Sequence, residues 1–319
     1  MSIRNLFIDG GTINKMSTAT WNALGNENIQ GENVAIGLNA GSVDQAQGSV
    51  AVGWGAGKYE QGQAGGGEGG AVAIGESAGY TGQGSYGVAI GYLAGSNYQK
   101  NSSVAIGESA GTNNQFEYCV AIGSGAGFTG QGQNNGNPQG EGFSVAIGYQ
   151  AGNSQQSCSA IAIGQGSATS NQQYSCIAIG TESGHTNQGA FSIALGHLAG
   201  ETNQGSNSVA IGYQAGNNNQ ASHSICLNAS GAALNTSTSG FFVNPVHEGA
   251  INLEPNNPTN ILTYNSTTSE IAVNYPVFPV MNVSAANFAG HIVGATGMVV
   301  FDNTFTLYGA KGPNTWVAI

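Results

Sequence analysis

The sequence predicts an all-β fold, a parallel β-roll of about twelve 16-residue coils, and three observations predict it. First, the phrase Val-Ala-Ile-Gly or a close variant starts at Val34, Val50, Val72, Val88, Val104, Val120, Val145, Ile161, Ile177, Ile193, Val209 and Ile225, and nine of the eleven intervals are 16 residues. A fixed period of this length is the mark of a stacked array. Second, counting each coil from its Val or Ile as position 1, Gly recurs at positions 4 and 8. Gly in a helix interior costs about 1 kcal/mol per residue, whereas Val-Ala-Ile before Gly reads as a short strand ending in a turn. Third, position 12 is Gln in the first eleven coils: Gln45, Gln61, Gln83, Gln99, Gln115, Gln131, Gln156, Gln172, Gln188, Gln204 and Gln220.

The strand runs from position 16 of one coil through position 4 of the next, with side chains on alternate faces. One face carries the aliphatic positions 1 and 3: Val34 and Ile36, Val72 and Ile74, Val104 and Ile106, Val145 and Ile147, Val209 and Ile211. The other carries Ala at position 2 and a small residue at position 16, among them Ser49, Ala71, Cys119 and Ser208. Neither face is charged, so the first is expected to build an aliphatic core and the second to press against a flat neighbour. Sixteen residues are too few for a roomy three-sided solenoid and suit a flat two-layer roll, with the small residues where the layers touch. The Gln column is expected to form an amide ladder, because identical amides about 4.8 Å apart can each donate to the next. The two long intervals place extra chain after Gln61 and Gln131, as the segments 62–71 and 132–144, where it can loop outward without changing the phase.

A lone coil cannot stand. Its two large aliphatics contribute about 1.5–3 kcal/mol each, against roughly 16–32 kcal/mol of backbone entropy for 16 residues. Stacking supplies the rest through nearest-neighbour terms. The Val/Ile face of a flat roll would still be uncovered, and three copies around a threefold axis would cover it, so a homotrimer is expected.

Four segments follow: a capping or attachment segment 1–33, the roll 34–239, a linker with a β-hairpin 240–279, and a C-terminal β module 280–319. Leu6–Thr12 reads as a strand and turn, and Ser17–Leu24 as a short helix or capping stretch. Asn260–Val273 has the alternation of a hairpin around a polar turn.

Composition excludes several functions. Only 7% of the 319 residues are charged, and the net charge is −11 with five Lys and Arg. That leaves no basic patch for nucleic acid. No run approaches the ~20 apolar residues of a membrane helix, and the N-terminus lacks a signal-peptide core. The Gly-x-Ser-x-Gly matches at 75–79 and 107–111 fall on the two structural glycines, and five histidines show no metal spacing. The expectation is no enzyme, no cofactor and no metal. The cysteines Cys119, Cys176 and Cys226 sit in small-residue columns and read as buried thiols. Position 5 varies most and carries Trp54, Tyr92, Tyr149 and Tyr213, candidates for surface contact.

The phrase Ser208-Val-Ala-Ile-Gly212 with Ala215, repeated in phase, resembles the YadA-like head repeat of trimeric autotransporter adhesins. The resemblance covers about 34–239 and implies a left-handed parallel β-roll trimer that binds host surfaces. The coils here are longer than that family's, and its export signal, stalk and anchor are not found in the sequence. Val-Ala-Ile-Gly-Tyr-Gln-Ala-Gly is also similar to fibre and spike modules of large DNA viruses and phages. The expected function is a non-enzymatic trimeric virion fibre, spike or decoration protein, made in the host cytoplasm and displayed on the virion surface. Its partners would be itself, other virion proteins, and a host-surface glycan or protein. The alternatives are a cell-surface adhesin exported by another route, and a fibre whose C-terminal module degrades glycans.

Overall fold

The computed structural model describes residues 33–63, 68–134 and 142–246, with short strands at 7–9, 12–14, 261–265, 270–274, 299–301, 307–312 and 315–318. The chain divides into two units, Met1–Val246 and His247–Ile319.

In the first unit, thirteen strands from Val34–Ile36 to Gly240–Asn244 form one parallel sheet. Each strand pairs with its counterpart one coil on: Val34 with Val50, Val88 with Val104, Ile193 with Val209. The phase survives both long intervals, since Val50 pairs with Val72 and Val120 with Val145. The extra chain leaves and returns through closed necks. The Gly69 amide donates to the Gly62 carbonyl at 3.3 Å, and the Gly142 amide to the Gly132 carbonyl at 2.8 Å. Gly62 and Gly132 stand at position 13, and Gly69 and Gly142 take up position 14.

The second layer is the return path through positions 10–12. Parallel bridges climb it from Val43 to Tyr59, Thr81, Asn97, Asn113, Thr129 and Ser154. It becomes a three-stranded sheet at Ser154–Gln156, Ser170–Gln172 and Thr186–Gln188. Between the layers lie Ala at positions 2 and 7, the small residues of position 16, and Gln at position 12, nearly all fully buried. The chain's own core is therefore alanine and glutamine. The Val/Ile face lies outside the roll and is left uncovered by it, as the flat two-layer reading expects. The two layers are too close for branched side chains, so the small face turns inward and the bulky one outward.

Glycine is required where coils touch. Gly107, at position 4, has φ +122°, and a Cβ there would lie 2.8 Å from the carbonyl carbon of Gly123 in the next coil. At position 8 the neighbour is the buried amide: a Cβ on Gly111 would meet Gln115 Oε1 at 2.8 Å. The position 8 column exists to seat the position 12 column.

The roll is one strand longer than its repeat phrase. Gly240–Asn244, expected to be linker, pairs with Ser224–Asn228 in the regular register, Phe241 beside Ile225. Phe242 takes the inward position that Ala holds elsewhere. Among the described residues no further coil follows it in the sheet, so a ring is tolerated there. Thr236 stands where the next Gln would be, buried, its hydroxyl 3.2 Å from that of Ser224. At the other end, Phe7–Asp9 pairs antiparallel with Thr12–Asn14, as the strand-and-turn reading expects. Ser17–Leu24 lies outside the described residues.

In the second unit, Ile261–Asn265 and Glu270–Asn274 pair antiparallel, in agreement with the expected hairpin. Val299–Phe301, Leu307–Gly312 and Thr315–Ala318 form an antiparallel three-stranded sheet with an irregularity between Ala310 and Gly312.

Candidate interaction surface

Two features run the length of the roll, a buried amide column and an exposed apolar strip. The column is built from the strand outward. Each Gln points inward from the return path and donates from Nε2 to the position 1 carbonyl of its own coil, as Gln99 does to Val88 at 2.9 Å and Gln115 to Val104 at 2.8 Å. This bond buckles the return path to the sheet. The same Nε2 donates to Oε1 of the next Gln: Gln99 to Gln115 at 3.1 Å, Gln172 to Gln188 at 2.9 Å.

The side-chain ladder has three runs. Gln45 donates to Gln61; Gln83, Gln99, Gln115 and Gln131 form the second; Gln156, Gln172, Gln188, Gln204 and Gln220 form the third. The gaps fall where the extra chain leaves, after Gln61 and after Gln131. Correspondingly, the Oε1 atoms of Gln83 and Gln156, at the head of the second and third runs, are buried without a hydrogen-bond partner, as is that of Gln45. Backbone stacking continues across the first gap, where the Gly62 amide donates to the Gln83 carbonyl at 2.7 Å.

The strip is formed by Val34 and Ile36, Val72 and Ile74, Val104 and Ile106, Val145 and Ile147, Val209 and Ile211, with their equivalents in the other coils. All are partly or largely open to solvent, Ile36 most at 60%. Trp54, Tyr92, Tyr149 and Tyr213, at position 5, are exposed at its edge. On the opposite edge stand Tyr86, Tyr118, Phe143 and Phe191 at position 15, a column that sequence reasoning missed. The signal was available in their constant spacing of two residues before a strand. Among the roll's described residues, the exposed large apolar side chains outside positions 15, 1, 3 and 5 are Val43, Tyr59 and Tyr98. Position 15 has a left-handed backbone in the first eleven coils, with φ +71° at Gly48 and +59° at both Phe143 and Phe191. Bulky residues there carry a backbone cost that glycine avoids.

No family model, curated protein or solved structure matches the chain.

Chemistry elsewhere is sparse. Lys58 Nζ donates to the Tyr80 hydroxyl at 3.2 Å and lies 4.8 Å from the Tyr59 ring centroid. The Tyr59 and Tyr80 hydroxyls hold its ammonium above the ordinary range. Glu68 accepts from the Tyr86 hydroxyl at 3.1 Å and raises its pKa. Ser77 and Ser109, the serines of the Gly-x-Ser-x-Gly matches, have φ +54° and +56°; Leu93 occupies the same column at +56°. The column sets their backbone, not a nucleophile's needs. Cys119, Cys158, Cys176 and Cys226 are buried thiols. Among the described residues no group of His, Cys, Asp and Glu is placed to hold a metal, and no helix is long and apolar enough to cross a membrane.

Proposed function

We propose that this chain is a non-enzymatic structural protein that assembles with two further copies into a fibre or spike displayed on a virion surface. There it contacts the host surface or other virion proteins. One observation carries the reading: an unbroken apolar strip runs along all thirteen strands with no part of the roll covering it. Contiguous exposed apolar surface of this extent marks an interaction site. Three copies wound about one axis cover one another's strips, and cyclic symmetry requires only a single contact to be specified. A roll whose backbone and amide bonds both run along its axis suits the work of projection. The virion setting rests on the similarity of the repeat phrase to fibre and spike modules, and residues 280–319 resemble the short β modules of such fibres.

Mass measurement at dilute concentration tests the assembly. Three chains per particle are expected; a folded single chain overturns it. Immunogold labelling of purified virions with an antibody against residues 280–319 tests the setting, and particles without label refute it.

A further inference from the structure

The two edges of the apolar strip carry different residues, and at three heights bulky members stand level with each other. Val88–Ile90 is flanked by Tyr86 on one side and Tyr92 on the other, Val145–Ile147 by Phe143 and Tyr149, and Ile193–Leu195 by Phe191 and His197. All six are exposed. Elsewhere a large residue faces a small or polar one across the strip: Gly48 with Trp54, Asn207 with Tyr213. The two acids at position 5, Glu76 and Glu108, are level with Gly70 and Ser102.

Within one chain the two edges cannot touch. The extended segment between Tyr86 and Tyr92 separates them by on the order of 13 Å or more. Their matching needs an explanation in which the edges meet. A parallel assembly about an axis along the roll brings the position 5 edge of one copy against the position 15 edge of the next, at the same height. The strip and its edges are large enough to hold such a contact. Thirteen strands span about 58 Å and the width is about 20 Å, giving roughly 1,100 Å² per copy, or about 550 Å² towards each of two neighbours. Summed over both neighbours this exceeds the roughly 800 Å² that one partner gives to a standard interface.

Resting on the trimer proposed above, we infer that the copies are parallel and in register, clamped by inter-subunit aromatic contacts at three heights: Tyr86 to Tyr92, Phe143 to Tyr149, and Phe191 to His197 of the adjacent copy. The aromatic side chains at position 15 occupy a left-handed backbone that Gly48 and Gly70 fill without strain; within the chain Phe143 stacks on Tyr118 and Phe191 meets Tyr174 edge-on, and a contact with the neighbouring copy adds to what offsets that cost. Aromatic pairs add about 0.5–1.5 kcal/mol beyond the area they bury, so the clamps set register more than they supply affinity. Position 5 is then an assembly edge, and Trp54, Tyr92, Tyr149 and Tyr213 are not free for a sugar.

Disulfide trapping tests this, since the four native thiols are buried. The same-height variant Tyr86→Cys/Tyr92→Cys is compared with Tyr86→Cys/Tyr149→Cys, whose positions lie three coils apart. Native mass is read under reducing conditions, and non-reducing denaturing gels follow mild oxidation. Bridging of Tyr86→Cys to Tyr92→Cys within a chain is out of reach at the separation above. The expected result is a covalent trimer from the same-height pair and none from the offset pair. A reduced mass of one folded chain overturns the trimer and the clamp together. A mass of three chains in which the same-height pair does not close, or closes no faster than the offset pair, overturns the clamp and leaves the trimer standing.

Discussion

At the residue scale, the glutamine at position 12 does more than mark the period. It ties the return path to the strand and each coil to the next, from inside a core with no water to compete. Replacing Gln99 by Leu strands the Oε1 of Gln115 and removes the acceptor of Gln83 Nε2, which retains only backbone carbonyls. Leaving buried polar groups unpaired costs about 1–3 kcal/mol each, so Gln99→Leu is expected to lose about 2–4 kcal/mol. Gln83→Leu, at the head of a run where Oε1 is already unpartnered, is expected to lose less. Hydrogen exchange of the flanking strands, which reports local rather than global opening, ranks the two; equal losses refute the role given to the ladder. The thiols give a second prediction. Burial raises the pKa of Cys119 and of Cys176 above the ordinary thiol value. The unfolded chain therefore ionises first, and stability is expected to fall as pH rises through the ordinary thiol range, being unaffected by these groups below it. Thermal midpoints of wild type and a Cys119→Ser/Cys176→Ser variant, compared across that range, check the sign: the wild-type midpoint falls relative to that of the variant as pH rises.

At the scale of the element, the coil tolerates extra chain at one point, between positions 13 and 14, where Gly62–Gly69 and Gly132–Gly142 already close by hydrogen bonds. Deleting residues 63–68 restores the common period and is expected to join Gln61 to Gln83. The melting midpoint of that variant should not fall, because the deletion also shortens a loop whose closure costs entropy. A large drop means that the extra segment supports the roll. The strand phase, the glutamine column and the positions of both excursions were all legible in the sequence, because stacked coils demand identical residues at identical heights. The thirteenth strand was not, since Phe242 replaces the inward Ala and only its 16-residue distance from Cys226 betrays it. The direction of the faces was legible as well, because the gap between two layers this close admits only alanine, small polar groups and a flat amide, which leaves Val and Ile outside. The position 15 edge was hidden for a different reason. Its members share a backbone conformation imposed by the stack, not a residue type.

At the scale of the whole molecule, a roll whose branched aliphatics face outward is an unfinished hydrophobic core. Its completion is expected to come from copies of itself, and its stability should then depend on protein concentration. Substituting charge into the strip, as in Ile147→Lys, is expected to leave the coil's own hydrogen bonds intact and reduce the assembled mass from three chains to one. Size-exclusion with light scattering, paired with circular dichroism, reads both. A variant that still measures as three chains removes the strip from the assembly.

The closed necks at 62–69 and 132–142 also make the roll a modular carrier. A foreign peptide spliced between such anchors leaves the pitch of the stack untouched. In the proposed trimer, two ports on each copy would amount to six addressable sites. Variation in what the rod presents can thus proceed without any renegotiation of how the rod is built.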